Sequence, residues 1–78
     1  MFTVAYNLNY DGRSHEGRVI SRHRKLTRAV AAYDAEQARC KRYNGRNTWL
    51  DIDIFEDGDP VAAEDVYDAR DENRQGWR

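Results

Sequence analysis

The residues with charged, potentially reactive side chains fall into two sets of opposite sign. Residues 1–50 hold ten Lys/Arg and four Asp/Glu, a net charge of +6, whereas residues 51–78 hold three Arg and ten Asp/Glu, a net charge of −7. The total of −1 therefore conceals a strong separation of charge along the chain. Such asymmetry indicates a charged partner or self-association.

The acidic set follows residue 50. Its last five members project within about a 120° arc if the C-terminal segment is helical. Like charges four residues apart mildly destabilise a helix, and one charge per roughly two to three ångströms approaches the charge density of duplex DNA. The pattern predicts a decoy for a basic groove or a face that docks onto a Lys/Arg-rich protein; the alternative is an ordinary solvated face. The acidic set is Asp51, Asp53, Glu56, Asp57, Asp59, Glu64, Asp65, Asp68, Asp71 and Glu72.

The basic set precedes residue 50. Half of its members gather at the start of the predicted first helix, where cations oppose the helix dipole at about 0.3–1 kcal/mol each. Helix stability does not account for them, but free N–H groups with added cations form a natural anion site. The set predicts contact with phosphate, nucleic acid or an acidic protein; a solvated loop is the alternative. The basic set is Arg22, Arg24, Lys25, Arg28, Arg39, Lys41, Arg42 and Arg46.

Other reactive combinations lack the spacing that their chemistry needs. The carboxylates of residues 51–59 do not have the spacing of a calcium loop, and the two histidines and one cysteine fit no zinc motif. Ser14, His15 and Glu16 are triad residue types, but neighbours on a strand point to opposite faces. A short chain also offers little burial with which to separate the pKa values of paired carboxylates. We therefore expect no enzyme, no metal and no cofactor.

Size and composition predict one small, heavily charged domain over residues 1–78. The mean hydropathy is −1.03 and 35% of the residues are charged. One cysteine cannot form an intramolecular disulfide, which favours a reducing compartment. Met1 is followed at once by an alternating strand, and no apolar run reaches the roughly 18–20 residues of a membrane span. We expect a cytoplasmic protein without membrane contact.

Alternation predicts two strands joined by a tight turn at Asp11-Gly12. In residues 2–10 the even positions are apolar or aromatic and the odd positions mostly polar, as in a half-buried strand. Asp-Gly is a strong hairpin signal because both residues tolerate positive φ. A second strand over about 13–20 follows, with a bulge at Gly17.

The main predicted helix covers residues 26–43 and ends at Asn44-Gly45, residues that accept the left-handed conformation of a C-terminal cap. Gln37 interrupts its apolar stripe, which is about 100° wide. The stripe consists of Leu26, Ala29, Val30, Tyr33 and Cys40.

A third strand is predicted over 48–55. Leu50, Ile52 and Ile54 face the helix, and Trp49 and Phe55 lie on the outer face.

The last segment allows two interpretations. A helix starts near 60 with Asp59 as its N-cap and Pro60 in its first turn, or a strand over 60–63 precedes a helix from near 64. Residues 73–78 are expected to fray. The order ββαβα predicts an α+β fold, a small and mostly antiparallel sheet with one main helix and a C-terminal acidic helix packed on it.

In size, layout and charge the whole chain resembles small proteins of phages and other mobile elements, including anti-CRISPR proteins. These are small single domains with short sheets, one or two helices and highly charged faces, and no shared motif carries the resemblance. It implies a non-enzymatic inhibitor in the host-cell cytoplasm. The acidic face of residues 51–72 would occupy a Lys/Arg-lined nucleic-acid-binding surface of a CRISPR effector complex.

Two other functions fit the same residues. A small nucleic-acid-binding module would place the basic set on phosphates and stack Trp49 on a base, with the acidic half on the far side. A structural protein would pair the two charged surfaces between copies in a homodimer or ring. We otherwise expect a monomer or dimer.

Overall fold

The protein has an α+β fold in a computed structural model that describes residues 1–43 and 52–75. The elements follow one another as two strands, a helix, two strands and a second helix. They are β1 (Phe2–Tyr10), β2 (Arg13–His23), α1 (Leu26–Tyr43), β3 (Ile52–Glu56), β4 (Asp59–Pro60) and α2 (Ala63–Gln75). The predicted fold class and the predicted extent of α1 are confirmed. The cap at Asn44-Gly45 and the strand positions Trp49, Leu50 and Asp51 lie outside the described residues.

The four strands form one antiparallel sheet in the order β2-β1-β3-β4. Both hairpins turn at an Asp-Gly pair. Asp11 and Gly12 have φ of 54° and 68°, and Asp57 and Gly58 have φ of 53° and 87°. Positive φ at both central residues is the requirement of a type I′ hairpin turn. The predicted first hairpin is confirmed. In the second hairpin, Asp57 and Gly58 form a two-residue turn, so β4 pairs with β3 immediately after it.

The start of α2 decides between the two interpretations of the last segment. A helix from near 60 is wrong, because Asp59 and Pro60 form β4. The N–H groups of Asp65 and Val66 donate to the carbonyl of Ala62, at 3.1 and 3.2 Å. The helix therefore begins at Ala63 without Asp59 as its cap. Fraying over residues 73–75 is also wrong, since α2 continues to Gln75; residues 76–78 lie outside the described residues.

Strand β2 is longer than predicted and contains two bulges. It runs to His23, and its register against β1 slips by one residue at Ile20 and again at Gly17-Arg18. A Cβ added at Gly17 would lie 2.8 Å from the carbonyl oxygen of Tyr6, so the predicted bulge depends on the absence of a side chain there. Bulges increase the local twist of a sheet.

One face of the sheet packs against the helices. The core consists of Val4 and Ile54 from adjacent strands, Ala29 and Val30 from α1, and Ala69 from α2. Leu26 and Tyr33 pack around it as the helical stripe predicted, and the Gln37 amide that interrupts this stripe donates to the Tyr33 hydroxyl at 3.0 Å. The side chain of Cys40 lies outside the described residues.

The opposite face of the sheet is also closed. Thr3, Ala5 and Phe55 are buried there. Phe55 lies on the face away from the helices, as predicted, but its side chain is 0% exposed rather than open to solvent. The edge strands β2 and β4 approach within 8 Å although two strands separate them in the sheet. Since α1 occupies one face, these edges can meet only across the other, so the bulged sheet curls over Phe55.

Candidate functional site

The acidic helix face comprises five carboxylates on α2, and all five are exposed. At 100° per residue they occupy the side of the helix away from the half-buried Val66, and the core residue Ala69 lies at the edge of their arc, next to Asp65 and Glu72. Among the described residues only Asp71 has an ion-pair partner, Arg74, at a long 3.9 Å. The face therefore presents largely uncompensated negative charge. Its members are Glu64, Asp65, Asp68, Asp71 and Glu72.

Two contacts with α1 orient this face toward solvent. The Arg70 guanidinium donates from Nε to Asp34 Oδ2 at 2.9 Å and from Nη2 to Asp34 Oδ1 at 2.7 Å. One helical turn further on, the Asn73 side-chain amide donates to the Thr27 carbonyl at 2.9 Å. Because Arg70 meets Asp34 and Asn73 meets Thr27, the two helices run antiparallel. The rotation of α2 about its axis is thereby set.

The Asp34–Arg70 contact also has an electrostatic signature. Hydrogen bonding to Asp34 raises the pKa of Arg70 above its ordinary value, and this outweighs the opposing effect of burial. The two side chains are 27% and 44% exposed for Arg70 and Asp34 respectively. The Arg70 guanidinium is therefore hydrogen-bonded to Asp34 and forms no ion pair with the acidic helix face.

An open groove of about 560 Å³ runs between α2, the start of α1 and the start of β1. Phe2, Leu26 and Ala69 supply its apolar surface. One side carries three members of the acidic helix face, which are Asp65, Asp68 and Glu72; the other side carries Lys25 and Thr27. The groove thus joins an apolar floor to a rim that is predominantly acidic.

The groove brings the positive end of the α1 dipole next to the acidic helix face. The first turn of α1 contains no acidic residue of its own, although carboxylates stabilise a helix N-terminus. Asp65, Asp68 and Glu72 border the same groove as this turn. Among the described residues, no ion pair joins them to the basic start of α1.

The remaining acidic residues divide between the surface and the sheet interior. Glu56, Asp57 and Asp59 are exposed on the β3–β4 hairpin. Asp53 does not belong to that surface: it is half-buried, and its Oδ1 accepts from the N–H of Ile54 at 2.8 Å. Its Oδ2 accepts from the Asn7 amide at 3.4 Å. Both carboxylate oxygens of Asp53 thus bond within the sheet, and its assignment to a partner-binding face stays a prediction.

The predicted basic cluster is divided between elements. Arg22 lies in β2, where it pairs with Thr3 of β1, rather than at the start of α1. Arg24, Lys25 and Arg28 are exposed around the start of α1. Arg39 forms an ion pair with Glu36. The side chains of Lys41 and Arg42, and the whole of Arg46, lie outside the described residues.

Lys25 borders the same groove as the carboxylates of α2, whereas a nucleic-acid-binding module would place the acidic half on the far side from the basic set. Sequence reasoning also missed the groove floor. The one sequence signal for the floor was that Ala69 falls beside Asp65, Asp68 and Glu72 on a helical projection. Helical periodicity assigns Ala69 to the core and does not indicate a groove.

Comparison of the chain with protein-family models, with curated proteins and with solved structures found no match. Within residues 1–43 and 52–75, no group of three or more His, Cys, Asp or Glu side chains is placed to hold a metal ion. No helix in the same ranges is long and apolar enough to cross a membrane.

Proposed function

We propose that this protein is a non-enzymatic inhibitor of the anti-CRISPR kind. Its acidic helix face docks onto a Lys/Arg-lined nucleic-acid-binding surface of a CRISPR effector complex and keeps nucleic acid out. The observation that carries the proposal is the exposure of five carboxylates on one side of α2, four of them without an ion-pair partner among the described residues.

The cost of this arrangement to the helix supports the proposal. Glu64–Asp68 and Asp68–Glu72 are like-charge pairs one turn apart, and each such pair destabilises a helix by about 0.2–0.5 kcal/mol. The fold does not relieve this repulsion through Arg70, which is bound to Asp34. Glu64 and Asp65 lie in the first turn, where the helix dipole favours carboxylates, so the cost falls on the three carboxylates beyond that turn. A charge pattern that is kept against local stability is typical of a binding surface.

The test is binding to purified, guide-loaded CRISPR effector complexes at low salt, with and without target DNA. We expect binding to the DNA-free complex, competition with DNA, and weakening as salt rises, because exposed charges are screened. Neutralising all five positions of the acidic helix face should weaken binding at least about fivefold, since each exposed ion pair contributes about 0.2–1 kcal/mol.

The matched control neutralises Arg22, Arg24 and Arg28, which are exposed but lie outside the acidic helix face. Affinity for the effector complex should be unchanged or slightly higher. Failure of the unmodified protein to bind any DNA-free effector complex at low salt would exclude this class of target.

A further inference from the structure

The groove beside α2 combines two surfaces that suit different parts of one side chain. Its floor of Phe2, Leu26 and Ala69 is apolar, and its rim carries the carboxylates of Asp65, Asp68 and Glu72. Its volume of about 560 Å³ falls within the range of about 300–1,000 Å³ that is usual for ligand clefts. Only part of the acidic helix face borders it, since Glu64 and Asp71 do not line the groove.

We propose that this groove binds lysine or arginine side chains of a basic segment in the partner protein. The aliphatic stem of each side chain lies on the floor and its charged head lies among the three carboxylates. The inference rests on the proposed function and deepens it, because it names the part of the acidic helix face that makes the specific contact and the chemistry of the group it takes.

Charge complementarity selects this occupant. Three carboxylates and one lysine border the groove, so the surroundings favour a cation. A metal ion does not fit, because no His, Cys, Asp or Glu cluster within the described residues is placed to hold one. Long basic side chains bury an apolar stem while their charge stays at a polar rim, which matches both surfaces of the groove.

Lys25 gives the groove a second property. It is the cation among the residues that line the groove, and a partner's ammonium or guanidinium group must approach the same carboxylates. Removing its charge with Lys25→Gln should therefore tighten the binding of a basic peptide by about two- to fivefold, the scale of one exposed ion pair. A general effect of net charge would tighten binding equally when Arg13 is neutralised at the distal hairpin.

The test uses short, end-blocked peptides in which glycine alternates with ornithine, lysine or homolysine. These side chains carry the same charge and lengthen by one methylene at each step. Burial of the stem predicts that affinity rises by about two- to fourfold per step, and that amide chemical shifts move at Leu26, Thr27 and Ala69. Equal affinities for the three peptides, or no binding at low salt, would overturn the proposal.

Two variants of equal charge locate the contact. Asp68→Asn/Glu72→Gln removes two groove carboxylates, and Glu64→Gln/Asp71→Asn removes two from the same helix outside the groove. The first should weaken peptide binding at least about fivefold and the second less than twofold. Equal losses would reject the groove while leaving the proposed function intact, whereas failure to bind an effector complex would reject that function and leave the peptide result standing.

Discussion

Arg70 is the residue that most directly fixes the orientation of the acidic helix face. Its planar guanidinium makes two hydrogen bonds to Asp34, a geometry that a lysine ammonium cannot reproduce. The raised pKa of Arg70 means that this stabilisation is complete below the ordinary arginine value and is lost only as pH rises above it. The contact therefore holds throughout the physiological range.

We expect a measurable but modest coupling between Arg70 and Asp34. A double-mutant cycle with Asp34→Asn and Arg70→Gln should give about 0.5–1 kcal/mol in the free energy of unfolding, because solvent screens a partly exposed pair. Denaturant titration measures it. The same cycle with Asp71→Asn and Arg74→Gln should give close to zero, since that pair is 3.9 Å apart and more exposed; equal coupling in both would contradict the assignment.

At the scale of elements, the bulged hairpin determines how the sheet closes. The register of β2 against β1 slips at Ile20 and at Gly17-Arg18, and the added twist carries β2 toward β4. This curl buries Phe55 on the face that has no helix. On the face that packs against the helices, Val4 is buried, as strand alternation predicts. Leu8 lies on the same side of β1 but is 50% exposed, because it lies beyond the residues that pair with β3.

Truncation at Phe55 tests the closed face. Phe55→Leu should lower the free energy of unfolding by about 1–2 kcal/mol, and Phe55→Ala by about 3–5 kcal/mol, enough to unfold much of a domain of this size. Leu8→Ala, at a half-exposed position of β1, should cost less than about 1 kcal/mol. Denaturant titration followed by circular dichroism compares them, and similar losses for Phe55→Leu and Leu8→Ala would argue against the curled sheet.

At the scale of the whole molecule, the separation of charge along the sequence does not become a simple separation in space. The basic start of α1 and the acidic helix face of α2 border one groove through Lys25. Antiparallel packing of the two helices causes this, since it sets the start of α1 beside the C-terminal half of α2. A nucleic-acid backbone approaching this end of α1 would meet carboxylates as well as arginines.

We therefore expect weak binding of nucleic acids. Gel shifts with single- and double-stranded DNA and RNA at low salt should show no complex at micromolar protein, because repulsion by α2 opposes the phosphate contacts. Arg22→Ala/Arg24→Ala/Arg28→Ala is the control. A complex with the unmodified protein that this variant abolishes would favour the nucleic-acid-binding module instead.

The features that depend on neighbouring residues could be predicted from the sequence alone. Asp11-Gly12 specified a hairpin because positive φ is a local requirement, and the spacing of Leu26, Ala29 and Val30 specified the buried stripe of α1. The acidic arc of α2 followed from helical periodicity in the same way. These features were predictable because each depends on residues that are close together in the sequence.

Which charged residues lie together in space depends on tertiary contacts. Alternation along a single strand could not reveal that the sheet curls over Phe55, because the curl results from two bulges in a different strand. Likewise, no local pattern could draw Asp53 into the sheet through Asn7, 46 residues away, or set Lys25 beside the carboxylates of α2. Contacts between distant parts of the chain made these assignments, and they divide the acidic half of the sequence between a helix face with its groove, an exposed hairpin and the sheet.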